Sequence, residues 1–510
     1  MPQIINTNIS SLNSQRHLNN SQSALSQAME RLSSGKRINS AKDDAAGLNI
    51  AEKMTTQIGG MNQAIRNAYD GVSLGQTAEG ALATSGDMLQ RIRVLAVQAS
   101  NATNTSEDRQ AIQDEVSQLA SELNRIALTT SFNGQKLLDG TMGAQNFQVG
   151  ANAGEIITAN GMNFQTNLYG DHRIKANGAT VKLSAAGDFG DRPATDYTAE
   201  EIVINGPLGK ATITAGTETT TARDRAISVN AKTGDTGVKA QARTEAFFTA
   251  TADHSHTYLL QSDNSTEVTI AFAVGEQNAD GYAQAINAFN AQSSKTGVTA
   301  EYDAANGGIK LVNASGNDIQ IANSSTAAGS AGTVTTYTAE GTSAGSTALA
   351  LAAANGDVTT AFVKGVLTFD AEKSYSITAT LTANSAFGIV DSTAIAAGAA
   401  VGSSKLRAVA ELDVTTFDKA QLALAIVDSA IGTINKERAR YGALQRRFES
   451  TIDNLRVSSE NTSNARSRIQ DADYAEETAA LSRATILQQA GTAMLAQANQ
   501  IPQTVLSLIR

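Results

Sequence analysis

The chain contains no cysteine and no tryptophan, only 4 prolines, and 5% aromatic residues among its 510 positions. Without thiols there is no disulfide framework and no thiolate metal site. That suits a cytosolic protein, and equally one exported unfolded that must not crosslink on the way. Large aromatics usually dominate burial, so this chain has to pack with Ala, Val, Leu and Ile. Small residues favour close helix–helix contact over long seams. Positive charge is also in short supply: the net charge is −10. No Lys/Arg-rich face runs along the chain to neutralise phosphates, which argues against a nucleic-acid partner. The first residues, MPQIINTNISSLNSQRHLNN, lack a basic segment followed by a continuous apolar run. A cleaved secretory signal is therefore not expected, and any export would use a route that does not read one.

The length suggests roughly two to four domains. A heptad register runs from Ala51 to Ala96 without a proline. Ala51, Ile58, Ile65 and Val72 hold one seam position, and Met54, Met61, Ala68, Gly75, Leu82, Leu89 and Ala96 the other. So long a repeat predicts a coiled-coil or bundle helix. A second helix is expected to start near Thr105, with Asp108 completing a capping box. It ends at TTSFNGQKLLDG, where Asn133-Gly134 and Asp139-Gly140 signal a short hairpin. Near the other end Leu424, Val427, Ile431, Ile434, Tyr441, Phe448, Ile452 and Leu455 fall on seam positions, interrupted by Arg438 and Gln445. Together these segments predict an antiparallel bundle that joins the two ends of the chain.

Between about residues 175 and 405 the composition shifts to Ala, Thr, Ser, Gly and Asn. The runs EEIVING, EVTIAFAV, GGIKLV and DIQIAN read as strands separated by polar turns. Val229–Ala242 and Phe289–Tyr302 repeat one another at an offset of 60, sharing Asn-Ala, Thr-Gly-Val and a later Ala. Each copy reads as a helix end, a Gly turn and an outgoing strand, so small α+β modules are expected. Residues 325–356 are low in complexity and specify no fold by pattern.

The final stretch, residues 484–509, carries no charged side chain and is long enough to span a bilayer. Its amides argue against that, since each would cost several kcal/mol or so in hydrocarbon without a partner. Leu487, Ala490, Met494, Ala498, Ile501, Val505 and Leu508 nevertheless form an apolar seam. The first residues carry a matching one in Ile5, Ile9, Leu12, Leu18, Leu25, Met29 and Leu32. Three readings follow: helices of one globular core, a membrane-surface helix lacking the usual basic flanks, or helices buried against further copies of the chain. Uncharged amides tolerate a subunit interface far better than charges do.

The residues also carry a resemblance. The stretch SQSALSQAMERLSSGKRINSAKDDAAGLNIAEKM, residues 21–54, resembles the N-terminal signature of bacterial flagellins. NARSRIQDADYAEETAALSRATILQQAGTAMLAQANQIPQTVLSLIR, residues 464–510, is similar to their C-terminal end. The likeness covers roughly residues 1–160 and 410–510 and is continuous. It implies a fold that is mostly α at the two chain ends, an antiparallel helical-bundle rod with a β-hairpin, carrying inserted α+β or β-rich outer domains. The expected division is residues 1–44 with 465–510, residues 45–175 with 405–464, and residues 176–404 as variable outer modules. It further implies head-to-tail polymerisation into a hollow extracellular filament for motility. Secretion would be unfolded, through the flagellar type III apparatus. The implied partners are further copies, an export chaperone, hook-associated and cap proteins, and a host Toll-like receptor; no membrane and no nucleic acid are expected. By the same resemblance Gln90, Arg91, Leu95 and Glu115 form the receptor-binding surface, and arginines are enriched at such anchors. Many well-recognised flagellins have an acidic residue where this chain has Val94. Leu506, Leu508, Ile509 and Arg510 match the tail read by cytosolic inflammasome sensors.

No catalysis, cofactor or metal is expected. His254 and His256 form an i, i+2 pair without a third fixed ligand, and an exposed polar strand is the simpler expectation. There is no H-E-x-x-H, no Gly-rich phosphate loop and no Ser/His/Asp arrangement. Asp43-Asp44 and Asp471/Asp473 sit beside Arg37, Lys42 and Arg468 in helical context, so solvated or interface salt bridges are the default expectation. Two alternatives remain, a hook–filament junction protein and a surface adhesin, the second suggested by the Thr/Ala-rich modules.

Overall fold

The computed structural model describes residues 7–175, 181–184, 189, 201–214, 220–325, 330–337, 349–351, 360–379 and 400–508. Their helices are α1 Ile9–Ser34, α2 Ala45–Ala99, α3 Ser106–Thr129, α4 Ala222–Asn230, α5 Thr233–Thr236, α6 Ala283–Ala291, α7 Ser293–Thr296, α8 Phe417–Gln470 and α9 Tyr474–Leu508. The chain divides into two compact units. One comprises Met1–Gly80, Thr130–Met162 and Ala439–Arg510; the other comprises Ala81–Thr129 and Asn163–Arg438.

In the first unit α1 starts at Asn8, whose Oδ1 accepts from the Ser11 amide at 3.0 Å, and stops at Gly35, where φ is 68°. The left-handed conformation ends the helix at a residue without a Cβ. Helix α9 is started by Asp473, whose Oδ1 accepts from the amides of Ala475 (2.8 Å) and Glu476 (3.3 Å). Asp44 does the same for α2, accepting from Ala46 (3.1 Å) and Gly47 (2.8 Å). Asp43 accepts from the backbone of Asn39 and Ser40, and these bonds hold its carboxyl below the usual range. Within the chain, Asp43, Asp44 and Asp473 thus make turn and cap bonds, because free amides at helix starts are close donors.

The heptad register of α2 is observed in the burial of Ala51, Met61, Ala68 and Val72. Gly71 has a steric reason: a Cβ there would lie 2.5 Å from the Phe448 ring of α8. Strands β1 Ser131–Phe132 and β2 Gln135–Lys136 form the expected hairpin, with Asn133 and Gly134 at φ 48° and 80°. Both positive values match the two-residue turn that Asn-Gly favours. A second hairpin, β3 Ala144–Gln148 with β4 Ile156–Asn160, lies against α2 and α8. Phe147 meets Phe448 edge-on at 5.4 Å, and Asn67 donates to the Gln148 carbonyl at 2.9 Å.

The second unit holds the remaining parts of the long helices, α3 and the β-rich region. Thr105 and Asp108 form the capping box at the start of α3: the Thr105 amide donates to Oδ2 of Asp108 at 3.0 Å, and the Asp108 amide to the Thr105 hydroxyl at 3.2 Å. The strands that follow are β5 Gly170–Lys175, β6 Val181–Ser184, β7 Glu201–Asn205, β8 Lys210–Thr214, β9 Lys239–Ala250, β10 His254–Gln261, β11 Val268–Val274, β12 Val298–Asp303 and β13 Gly308–Asn313. Then come β14 Ile319–Asn323, β15 Gly332–Thr336, β16 Leu349–Leu351, β17 Thr360–Val363, β18 Val366–Ala371, β19 Ser376–Ala379, β20 Ala400–Ser403 and β21 Lys405–Ala408. Among the described residues they build three larger antiparallel sheets. Their orders are β12-β13-β9-β18-β5-β21 with β15 and β16 attached, β11-β10-β14-β17-β6, and β20-β19-β7-β8. The four strand runs read from sequence fall on β7, β11, β13 and β14.

The internal repeat is one structural device used twice. In α4–α5–β9 the Asn230 amide donates to the Ala240 carbonyl and its oxygen accepts from the Ala240 amide, both at 2.8 Å. In α6–α7–β12 Asn290 treats Ala300 identically, at 2.9 and 2.8 Å. An Asn side chain offers a donor and an acceptor in one plane, so it mimics a strand neighbour and ties a helix end to the outgoing strand. Gly237 and Gly297 take φ 75° and 70° at the turns. Each copy feeds its own core, one around Val229, Ile204 and Phe369, the other around Phe248, Tyr258 and Phe289.

The histidine pair departs from expectation. His256 is 1% exposed, stacked on Tyr258 at 5.8 Å between ring centroids, with Nε2 2.9 Å from the Thr251 carbonyl. Burial lowers its pKa. The ring serves as an apolar slab because β10 turns that face into the core. Among the described residues no cluster of three or more metal-ligating side chains occurs. Residues 326–329, 338–348 and 352–356 of the low-complexity segment lie outside the described ones.

Candidate functional site

Helices α1 and α9 run antiparallel within their unit. Asn8 Nδ2 donates to the Ala498 carbonyl (2.9 Å), the Ser11 hydroxyl to Asn499 Oδ1 (2.8 Å), and Arg31 pairs with Glu477 at 2.9 Å. Beyond α1 the Arg37 amide reaches the Gln470 carbonyl at 2.7 Å. On α1 the inward stripe is Ser11, Leu18, Leu25, Ala28 and Leu32, either buried or half-buried. On α9 it is Glu477, Leu481, Ala484, Gln488, Gly491, Leu495 and Ala498, alternating steps of 4 and 3. Ala484, Gly491 and Ala498 form its narrow edge, and a Cβ at Gly491 would come 3.3 Å from Leu18 Cδ1.

This arrangement divides the seams read from sequence. Leu18, Leu25 and Leu32 face the partner helix, whereas Ile9 is 64% and Met494 62% exposed, and Leu12 and Leu487 are exposed with them. Met29 and Ile486 add to the uncovered apolar surface. The inner seam sets leucines against small residues, as Leu18 against Gly491, and the remaining large side chains lie on the outer face. The large hydrophobes of the sequence pattern mark the inner stripe on α1 but not on α9, where the seven-residue spacing of Ala484, Gly491 and Ala498 is its signal. Ile5 lies outside the described residues. Ile501, Val505 and Leu508 lie on the last turns of α9, where only the helical backbone is described, and Ile509 and Arg510 lie outside. Among the described residues no helix is long and apolar enough to cross a membrane.

A second candidate surface lies where α2 meets α3 in the other unit. Gln90, Arg91 and Glu115 are exposed, and Arg91 donates through Nε and Nη2 to Glu115 Oε1 at 2.9 and 2.8 Å. Leu95 does not share that face. It is 2% exposed, on the core side of α2 with Ile92 and Ala99, because the buried stripe of the helix widens there. The apolar side chains exposed beside Arg91 are Val94 and Val97.

Both ends of the chain match family models: the bacterial flagellin N-terminal helical region over residues 5–142, and the bacterial flagellin C-terminal helical region over residues 424–509. Similarity extends through the middle as well. The B-type flagellin of Pseudomonas aeruginosa is 41% identical over 99% of both chains. The chain belongs to the bacterial flagellin family. A flagellin of Salmonella typhimurium is 37% identical over 100% of each chain, and flagellin B of Vibrio cholerae 33% over 99%. As a member of this family the chain is a structural subunit of the flagellar filament. Matches that run end to end to flagellins weigh against the hook–filament junction alternative.

Proposed function

We propose that the uncovered apolar stripes of α1 and α9 are the subunit-to-subunit contacts of the filament. The supporting observation is that Ile9, Leu12, Leu487 and Met494 stand exposed on a helix pair whose own seam is already closed by a different set of leucines and small residues. Each such side chain gains about 1–2 kcal/mol when its remaining surface is covered, so several together hold a subunit. The seam also includes Leu18, Leu25 and Leu32, which align the pair, and extends through Ile5, Ile501, Val505 and Leu508. In this reading residues 1–44 with 465–510 are the assembly domain, residues 45–175 with 405–464 the supporting bundle, and residues 176–404 the outer modules.

The protein acts extracellularly without catalysis, after export in unfolded form through the type III route. Lack of cysteine and marginal helices at both ends fit such export, since isolated helices need tertiary partners to persist. An export chaperone, hook-associated proteins and the cap are its partners during delivery and capping. A host Toll-like receptor reads the face of Gln90, Arg91 and Glu115, with Val94 and Val97 supplying the apolar contact in place of Leu95. Elongation of short filament seeds by the purified chain tests the assembly reading. Removal of residues 1–40 or 470–510 is expected to stop elongation while the middle stays folded; a truncated chain that elongates seeds as well as the full one would refute it.

A further inference from the structure

The strands by which the chain enters and leaves its β-rich sheets, β5 and β21, pair directly, and β5 also pairs with β18. Two carboxyl groups meet here in a space with one guanidinium. Arg173 grips Asp370 with two bonds, Nε to Oδ1 at 2.5 Å and Nη2 to Oδ2 at 3.0 Å. Asp171 is 2% exposed, and its Oδ2 lies 3.6 Å from Arg173, too far for a hydrogen bond. That oxygen has no other hydrogen-bond partner. An ionised carboxylate held this way would be buried, underbonded and next to a second negative charge, and each circumstance disfavours ionisation.

We propose that Asp171 and Asp370 form a carboxyl pair sharing one proton, a latch between the entry strand β5 and its neighbour β18 that weakens as the pH rises. The protonated Asp171 donates to Asp370, and Asp370 stays ionised against Arg173. Losing the proton leaves two carboxylates on one guanidinium. The surroundings offer little relief. Lys405 and Arg407 on β21 and Lys239 on β9, level with the pair, are all exposed. Glu372 beyond β18 is taken by Lys436, and the Tyr375 hydroxyl donates to the Phe369 carbonyl. Further along the face Lys175 meets the Arg243–Glu245–Lys310–Asp418 cluster.

Burial, followed by the Asp370 charge, raises the Asp171 pKa to about 8. Unfolded, it would titrate near the ordinary value of about 3.9. Between those values the folded state holds a proton that the unfolded chain has released, so stability falls as pH rises through this window and levels off above it. One proton corresponds to a tenfold change in the unfolding constant per pH unit.

The test is urea unfolding of the full chain from pH 5.5 to 7.5, wild type against Asp171→Asn. The amide remains a donor to Asp370 but does not titrate. The two curves are expected to diverge by about one proton, with the variant losing less stability as pH rises. Buried His256 and His172, both lowered in pKa by burial, are present in both proteins. His172, next to Asp171 but on the opposite face of β5, is followed separately by its imidazole NMR signal, so that the remaining difference reports Asp171. Parallel curves would overturn the proposal. Infrared spectra of the unmodified protein decide it even if the variant fails to fold. A protonated-carboxyl stretch present at pH 7 and gone by pH 10 supports the shared proton; no such band at pH 7 refutes it.

Discussion

Single residues set several of the tight contacts. Gly71 and Gly59 both lie within α2, yet substitution should act on them in opposite directions. A Cβ at Gly71 collides with the Phe448 ring, whereas nothing lies within 4 Å of one at Gly59. Gly71→Ala is expected to cost about 1–3 kcal/mol through overpacking, and Gly59→Ala to add about 0.5–1 kcal/mol of helix propensity. Urea midpoints of the two variants measure the contrast. The paired asparagines allow a second comparison. Asn230→Ala or Asn290→Ala removes two bonds to one strand residue and should cost about 1–3 kcal/mol. Both asparagines were visible in the sequence as the start of a repeat. Their clamp was not, because pattern shows recurrence but not which backbone group a side chain reaches. The same limit applied to His256, whose strand alternation placed it on one face without indicating which face is buried.

At the scale of elements, periodic and capping signals translated well. The heptads of α2 and α8, the Asn-Gly hairpin and the Thr105–Asp108 box all rest on local chemistry, and local chemistry is what a sequence displays. Thr105→Ala should therefore weaken the start of α3 by about 1 kcal/mol, detectable as faster amide exchange in its first turns. The seam between α1 and α9 translated poorly. Large hydrophobes mark the interior only when a helix has one partner; here Leu18, Leu25 and Leu32 pack inward with small residues while Ile9, Leu12, Leu487 and Met494 lie outside. Leu95, given to the receptor face by resemblance, is buried for a related reason: the burial of α2 at Ile92, Leu95 and Ala99 reflects packing inside the unit.

For the whole molecule, assembly through the outward stripes of α1 and α9, as proposed, would account for apolar side chains with few charges on helices that, among the described residues, are not apolar enough to cross a membrane. A monomer leaves that surface exposed, and in the proposed assembly repeated head-to-tail contact removes it from water. Inner and outer stripes then have separable tests. Gly491→Leu should disturb the helix pair and lower the helical signal of the monomer. The double variant Ile9→Ser with Met494→Ser should leave the monomer's helical content unchanged. Each of its substitutions withdraws about 1–2 kcal/mol from an intersubunit contact, so the concentration needed for growth should rise roughly tenfold per site. Seeded elongation of this double variant, followed by light scattering beside circular dichroism of the monomer, is the most direct measurement. Loss of elongation with an unchanged helical signal is the expected result; elongation at the wild-type rate would contradict assembly through these stripes.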